Sequence, residues 1–295
     1  MPAITTILCP VDRSPAAARA LAYATALARA HEARVHVLEV IEYTVPAIPL
    51  GAGEFALPDT LRAGTLDALR HFAAPVADAG VLEDVRLREG GVAREILRDA
   101  ESAGADLIVM GTHGRSGFER LALGSVTEKI LRKATCPVLI VPPGDQHPAE
   151  RPFRTLLCPT DFSQAGDAAV AYARFIARLG DTTTLLLMNV VEWPFGHTSG
   201  DDAVTGLRLS LEADARDQLH RLTQAEPDSG LNIQAVAASG NPGRDIVDAA
   251  RARLADLIVM GVTGRGAIDL ALLGSTTYRV VRHAPCPVLT VPQTG

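Results

Sequence analysis

The chain is short of the residues that most directly grip or cut phosphate. Among 295 residues there are two lysines, Lys129 and Lys133, and no G-x4-G-K-[ST] run, which excludes a P-loop lysine. No G-x-G-x-x-G follows the first apolar segment, so the fingerprint of a dinucleotide site is missing too. Cys9, Cys136, Cys158 and Cys286 each precede a proline without C-x2-C spacing, and read as small buried or half-buried residues. The histidines, His113 among them, show neither ligand spacing nor a neighbouring nucleophile. No run of about 18 apolar residues occurs, and the start "MPAITTILCPVD" has no basic stretch or long apolar core. The expectation is a cytoplasmic protein with no membrane contact. A net charge of -6 gives no electrostatic reason to expect nucleic acid as a partner.

What is present is a duplication. "CPVDRS" at 9–14 returns as "CPTDFS" at 158–163, "DLIVMG" at 106–111 as "DLIVMG" at 256–261, and "CPVLIVP" at 136–142 as "CPVLTVP" at 286–292. Between the copies runs "PPGDQHPAERPF", whose prolines and polar residues continue neither strand nor helix. Domain one is therefore expected at 1–145 and domain two at 150–295.

Each copy alternates strand and helix periods. "TTILCPV", "RVHVLEVI", "VLEDVRLRE", "DLIVM" and "VLIV" read as strands, and the second copy places its own near 155–159, 184–191, 231–237, 256–260 and 287–291. Ser14 followed by Pro15 marks a helix start, and Pro75 is expected to kink or end a helix that begins near Pro58. Short apolar strands alternating with helices predict an α/β protein made of two tandem doubly wound parallel sheets with helices on both faces. In that class ligands sit beyond the carboxyl ends of the strands, where the winding reverses.

The segments placed there are Val11–Ser14 and Gly111–Ser125. Residues 111–125 read "GTHGRSGFERLALGS" and residues 261–275 "GVTGRGAIDLALLGS", so both copies keep G-x2-G-x9-G-S while the residues between drift. Gly111, ending a strand, admits close approach to the main chain and a sharp exit; Gly114 can supply a second turn with positive φ. Gly124 and Ser125 open a helix whose first N–H groups and positive dipole end favour phosphate. Arg115 and Arg265 are candidates to touch a phosphate. Asp12 and Asp161 read either as turn residues or as carboxylates accepting from a sugar hydroxyl or an adenine amine. These are parts for holding a nucleotide; the lysine, metal carboxylate and nucleophile-orienting group of a phosphoryl-transfer site are not evident.

On these residues, and on "DLIVMGTHGRSGFERLALGSVTEKILRKATCPVLIVP" with its second copy, the chain closely resembles the universal stress protein family in its tandem form. The resemblance implies five strands per domain in the order 3-2-1-4-5, ATP binding with or without Mg²⁺, and pairing through the fifth strands, consistent with a homodimer. Carried over by position, it implies that Asp12 and the main chain near Val40 hold the adenosine end in copy one. Gly111, Gly114, Gly124, Ser125 and Val126 would hold the phosphates. In copy two the matching residues are Asp161, Val190, Gly261, Gly264, Gly274, Ser275 and Thr276, and Met110 and Met260 would line the base or ribose pocket. The expected function is that of a regulatory or protective stress-response module with an unidentified protein partner. The alternatives are a slow Mg²⁺-dependent ATPase or phosphotransferase using Ser125 or Arg115, and an interaction protein with regulatory pockets.

Overall fold

The computed structural model describes residues 3–42, 58–112, 123–144, 153–178, 184–193, 202–225, 231–264 and 273–292. The chain forms two compact units that part at Pro143 and Gly144. Unit one contains β1 (Thr6–Pro10), α1 (Pro15–His31), β2 (Arg34–Ile41), α2 (Asp59–Phe72), α3 (Ala74–Asp78), β3 (Leu82–Glu89), α4 (Val92–Ala103), β4 (Leu107–Gly111), α5 (Ser125–Lys133) and β5 (Val138–Val141). Unit two contains β6 (Thr155–Pro159), α6 (Gln164–Ala177), β7 (Thr184–Glu192), α7 (Asp202–Gln224), β8 (Asn232–Gly240), α8 (Pro242–Ala252), β9 (Leu257–Gly261), α9 (Ser275–His283) and β10 (Val288–Val291).

Within unit one the strands pair in parallel in the order β3-β2-β1-β4-β5, with Ile7 opposite Val35 on one side and Leu107 on the other. Unit two repeats this as β8-β7-β6-β9-β10. The central strands are buried on both faces: Ile7, Leu8, Leu107, Ile108, Leu139 and Ile140 are fully enclosed. Each such side chain stabilises the unit by roughly 1.5–3 kcal/mol relative to exposure. The chain moves outward from β1 through β2 to β3, then crosses back to β4. Because parallel crossovers are right-handed, α1–α3 cover one face and α4–α5 the other. The contacts of α1 with α3 and of α4 with α5 follow that division.

Local signals set the element ends. Ser14 accepts from the Ala17 N–H and Pro15 fills the first turn of α1, while Glu32 closes it in a left-handed conformation with φ 55°. Ala17, Ala20, Ala24 and Ala28, together with Leu21 and Tyr23, form its buried face. Pro75 stands in the first turn of α3, and the helical path breaks between Phe72 and Ala74 as expected. Without a proline there, unit two runs α7 unbroken for 23 residues.

The repeated aspartate of "DLIVMG" braces the end of the sheet away from the candidate site. Asp106 Oδ2 accepts from the Thr5 and Thr6 N–H groups at 2.8 and 3.0 Å, and Asp256 Oδ2 from those of Arg154 and Thr155 at 2.9 and 2.8 Å. Among the described residues no helix is long and apolar enough to cross a membrane.

Candidate functional site

The winding reverses between β1 and β4 in unit one and between β6 and β9 in unit two, so the exits of these strands face the crevice where such folds take ligands. Asp12 lies two residues beyond β1. Its Oδ1 accepts from the Ser14 N–H at 3.0 Å, an Asx turn that points the chain into α1. Asp161 does the same for α6: its Oδ1 accepts from the Ser163 N–H at 3.1 Å and from the Ser163 hydroxyl at 2.5 Å. The reading of this aspartate as a turn residue is met in both units.

In unit two, a Cβ placed on Gly264 would stand 2.7 Å from Asp161 Oδ2, so the chain leaving β9 passes close to the carboxylate and a side chain there would have to displace it. The first-strand aspartate and a loop glycine, distant in sequence, thus meet. Gly111 and Gly261 have a different reason from the one expected. Neither adopts a positive φ. A Cβ on Gly111 would lie 3.1 Å from Ala16 Cβ, and one on Gly261 2.9 Å from both Ala165 Cβ and its carbonyl oxygen. The missing side chain lets the first helix of each unit press against the strand exit.

Positive φ occurs instead at two residues that sequence reasoning missed. Arg13 (φ 64°) and Phe162 (φ 60°) directly follow the two aspartates. Neither residue type favours this region, where a left-handed conformation costs roughly 1–2 kcal/mol. Its recurrence at the same place in both units marks a turn held against its own preference. In unit one Arg13 Nη2 donates to Glu39 Oε1 on β2 at 2.9 Å; Glu39 is buried.

On the far side of the crevice Gly124 and Gly274 are the residues before α5 and α9, with φ near -58° and -59° and no side-chain hydrogen bond capping either helix. Ser125 and Ser275 are exposed, and Val126 and Thr276 half-buried, beside first-turn N–H groups that have no acceptor within the helix. A Cβ on Gly124 would lie 3.0 Å from the Thr112 carbonyl oxygen, and one on Gly274 3.3 Å from that of Val262. Each helix start is therefore seated directly against the strand exit. Thr127 and Thr277, a pair that the kept "GS-x-T" spacing could have revealed, bond to that exit as well.

Val40 and Val190 are half-buried near the ends of β2 and β7, one strand away from the aspartates. Met110 and Met260 are buried, penultimate in β4 and β9. Gly114, Arg115 and Arg265 lie outside the described residues. Burial pushes the thiols at the strand ends up, Cys158 to about 12 and Cys9 further, and the half-buried Cys136 to about 11. Such thiols are almost entirely protonated near neutral pH and make poor nucleophiles.

Two doubly wound units, each with an aspartate turn and an uncapped Gly-Ser helix start at its switch point, define a tandem α/β protein. A family model described as the Universal stress protein family matches residues 3–142 and again 152–292. The chain belongs to that family. It is 30% identical to a universal stress protein of Mycobacterium tuberculosis over 301 residues, covering 96% of this chain and 95% of the relative. A universal stress protein of Mycolicibacterium smegmatis is 27% identical over 97% of this chain and 96% of its own. Among solved structures, a universal stress protein from Archaeoglobus fulgidus superposes with a TM-score of 0.71 at 26% identity, covering 97% of this chain and 95% of that one.

Proposed function

We propose that the chain binds adenine nucleotide, ATP foremost, at one site in each unit, and acts as a regulatory or protective stress-response module and not as a fast enzyme. The observation that carries this reading is the recurrence, in both units, of an aspartate turn opposite a helix start that no side chain caps. A carboxylate suits the hydroxyl and amine donors of adenosine. Unfilled first-turn N–H groups suit phosphate oxygens. The close fit of Gly264 to Asp161, which a single Cβ would close, supports a cradle formed by main chain.

Magnitudes agree with holding a ligand. Hydrogen bonds to charged groups contribute about 1.5–3 kcal/mol each and the helix dipole roughly 0.3–2 kcal/mol. A handful of these, less the cost of association, reaches about -8 kcal/mol, the micromolar range. The test is calorimetry with ATP on the full chain after co-purified nucleotide has been removed, run with Mg²⁺ and again with EDTA. Micromolar binding is expected. No heat and no retained nucleotide from the unaltered chain would overturn the reading.

A further inference from the structure

Thr127 and Thr277 are each the third residue of their helix, α5 and α9, and both are buried. A threonine inside a helix commonly returns its hydroxyl proton to the carbonyl four residues back. These two send it out of the helix. Thr127 Oγ1 donates to the Thr112 carbonyl at 3.2 Å, and Thr277 Oγ1 donates to the Gly261 carbonyl at 3.0 Å. Both acceptors lie at the exit of the fourth strand of their unit, where the Gly274 N–H also donates to the Val262 carbonyl at 3.1 Å. Around these threonines the helix starts have diverged, with Val126 against Thr276 and Glu128 against Tyr278. The hydroxyl bond has stayed, although its acceptor is the first residue past the strand in one unit and the strand's last glycine in the other.

Donors at a helix start serve an anion best when their aim is set before it arrives, because ordering them on binding would consume part of the affinity. We infer that Thr127 and Thr277 are positioning residues for the phosphate end of the two proposed nucleotide sites. Each hydroxyl pins the first helical turn to the strand exit and so holds the N–H groups of Ser125 and Val126, or of Ser275 and Thr276, at a set distance from the aspartate turn across the crevice. The inference rests on the nucleotide reading above. It adds that the first turn works through a bond that touches no ligand.

The experiment uses the full chain stripped of nucleotide, with Thr127→Val and Thr277→Val together, and with Thr127→Ser and Thr277→Ser together. Valine keeps the shape and branching and removes the hydroxyl; serine restores it. The valine pair is expected to weaken ATP at least tenfold, the serine pair to stay within threefold of the unaltered chain, and adenosine, which has no phosphate, to behave alike with all three. ATP bound equally well by the valine pair overturns the inference while leaving the nucleotide reading intact. So does a loss shared by ATP and adenosine, which would make the threonines purely structural. Failure of the unaltered chain to bind ATP removes the nucleotide reading and this inference together.

Discussion

Between β2, β3 and α4, unit one is held by charge, and unit two holds the same place with hydrocarbon and one amide. In unit one His36 Nδ1 and Asp84 Oδ1 are 2.7 Å apart, and Arg86 reaches Asp84 Oδ2 and Asp99 Oδ2, each at 2.9 Å. Arg88 Nε closes the chain on Asp99 Oδ1 at 2.8 Å. The matching positions in unit two are Leu186, Gln234, Val236, Ala238 and Ala249. Near the crevice the contrast recurs: the Arg13–Glu39 ion pair is replaced by Phe162 and by Asn189, whose Nδ2 donates to the Thr160 carbonyl at 2.8 Å. The aspartate turn, the strand-end glycine and the Gly-Ser-x-Thr helix start are the same in both. A part-buried ionic network in one unit and uncharged side chains at the matching positions of the other accompany the same parallel pairing of the edge strand. What the two diverging copies share lies at the exits of their first and fourth strands, the residues on which the proposed nucleotide sites rest.

The comparison breaks most readily at Asp99, which is 2% exposed and bridges two guanidinium groups. Asp99→Ala leaves Arg86 half-buried without its second carboxylate, and removing one partner of a buried pair costs about 3 kcal/mol. Equilibrium urea unfolding should show that loss, while Ala249→Gly at the matching place in α8 should cost only about 1 kcal/mol, the helix penalty of glycine. Equal losses would mean that the Asp99 carboxylate holds its edge strand no more firmly than the alanine at the matching place in unit two. The next largest contrast lies at the strand exits. Gly261→Ala drives a Cβ to 2.9 Å from the main chain of Ala165, whereas in Gly111→Ala the nearest atom is Ala16 Cβ at 3.1 Å and the main chain stays at 3.4 Å. Overpacking of this kind costs about 1–3 kcal/mol, so unit two should lose about 2 kcal/mol and unit one about 1 kcal/mol in melting experiments. The opposite order would sink the argument that helix approach, and not backbone conformation, requires these glycines.

The strands and most element ends were legible, because apolar strands buried on both faces leave a clear pattern and Ser14, Pro15 and Pro75 mark their helices locally, whereas the strand order came only from the family resemblance. β8 runs to Gly240, beyond the expected 237, since its tail "ASG" has no apolar alternation to betray it. The charges at Asp84, Arg86 and Arg88 alternate as a solvated edge would. Only the fold reveals that they face Asp99, contributed by the next helix. The left-handed turns at Arg13 and Phe162 could not be read, because nothing in an arginine or a phenylalanine announces positive φ; tertiary contacts impose it. Of the candidate site, Asp161 and Gly264 are adjacent as grouped, and each Gly-Ser pair opens its helix. The free φ expected at Gly111 is not used; what the structure shows there is close approach of α1.

The smallest of these effects is also the most selective. Burial pushes the Asp84 carboxyl up, but the hydrogen bonds from His36 and Arg86, and their charge, outweigh it and hold the group below its ordinary 3.8. A carboxyl whose folded value is depressed adds stability that is fully present above its unfolded value and is lost as the pH falls through the folded one. Its contribution should therefore be intact above about pH 5 and fade from about pH 4 downward. Gln234, which takes this place in unit two, does not titrate. Because the Asp84 side chain is 41% exposed, solvent screening keeps the effect modest. Urea unfolding of the unaltered chain and of Asp84→Asn, compared at pH 6 and pH 3, isolates it, since every other carboxyl is common to both. The gap between the two should narrow at pH 3. A gap that stays constant, or one that widens in acid, would show that Asp84 is held in place by packing and that the charge contrast between the units does not extend to their response to acid.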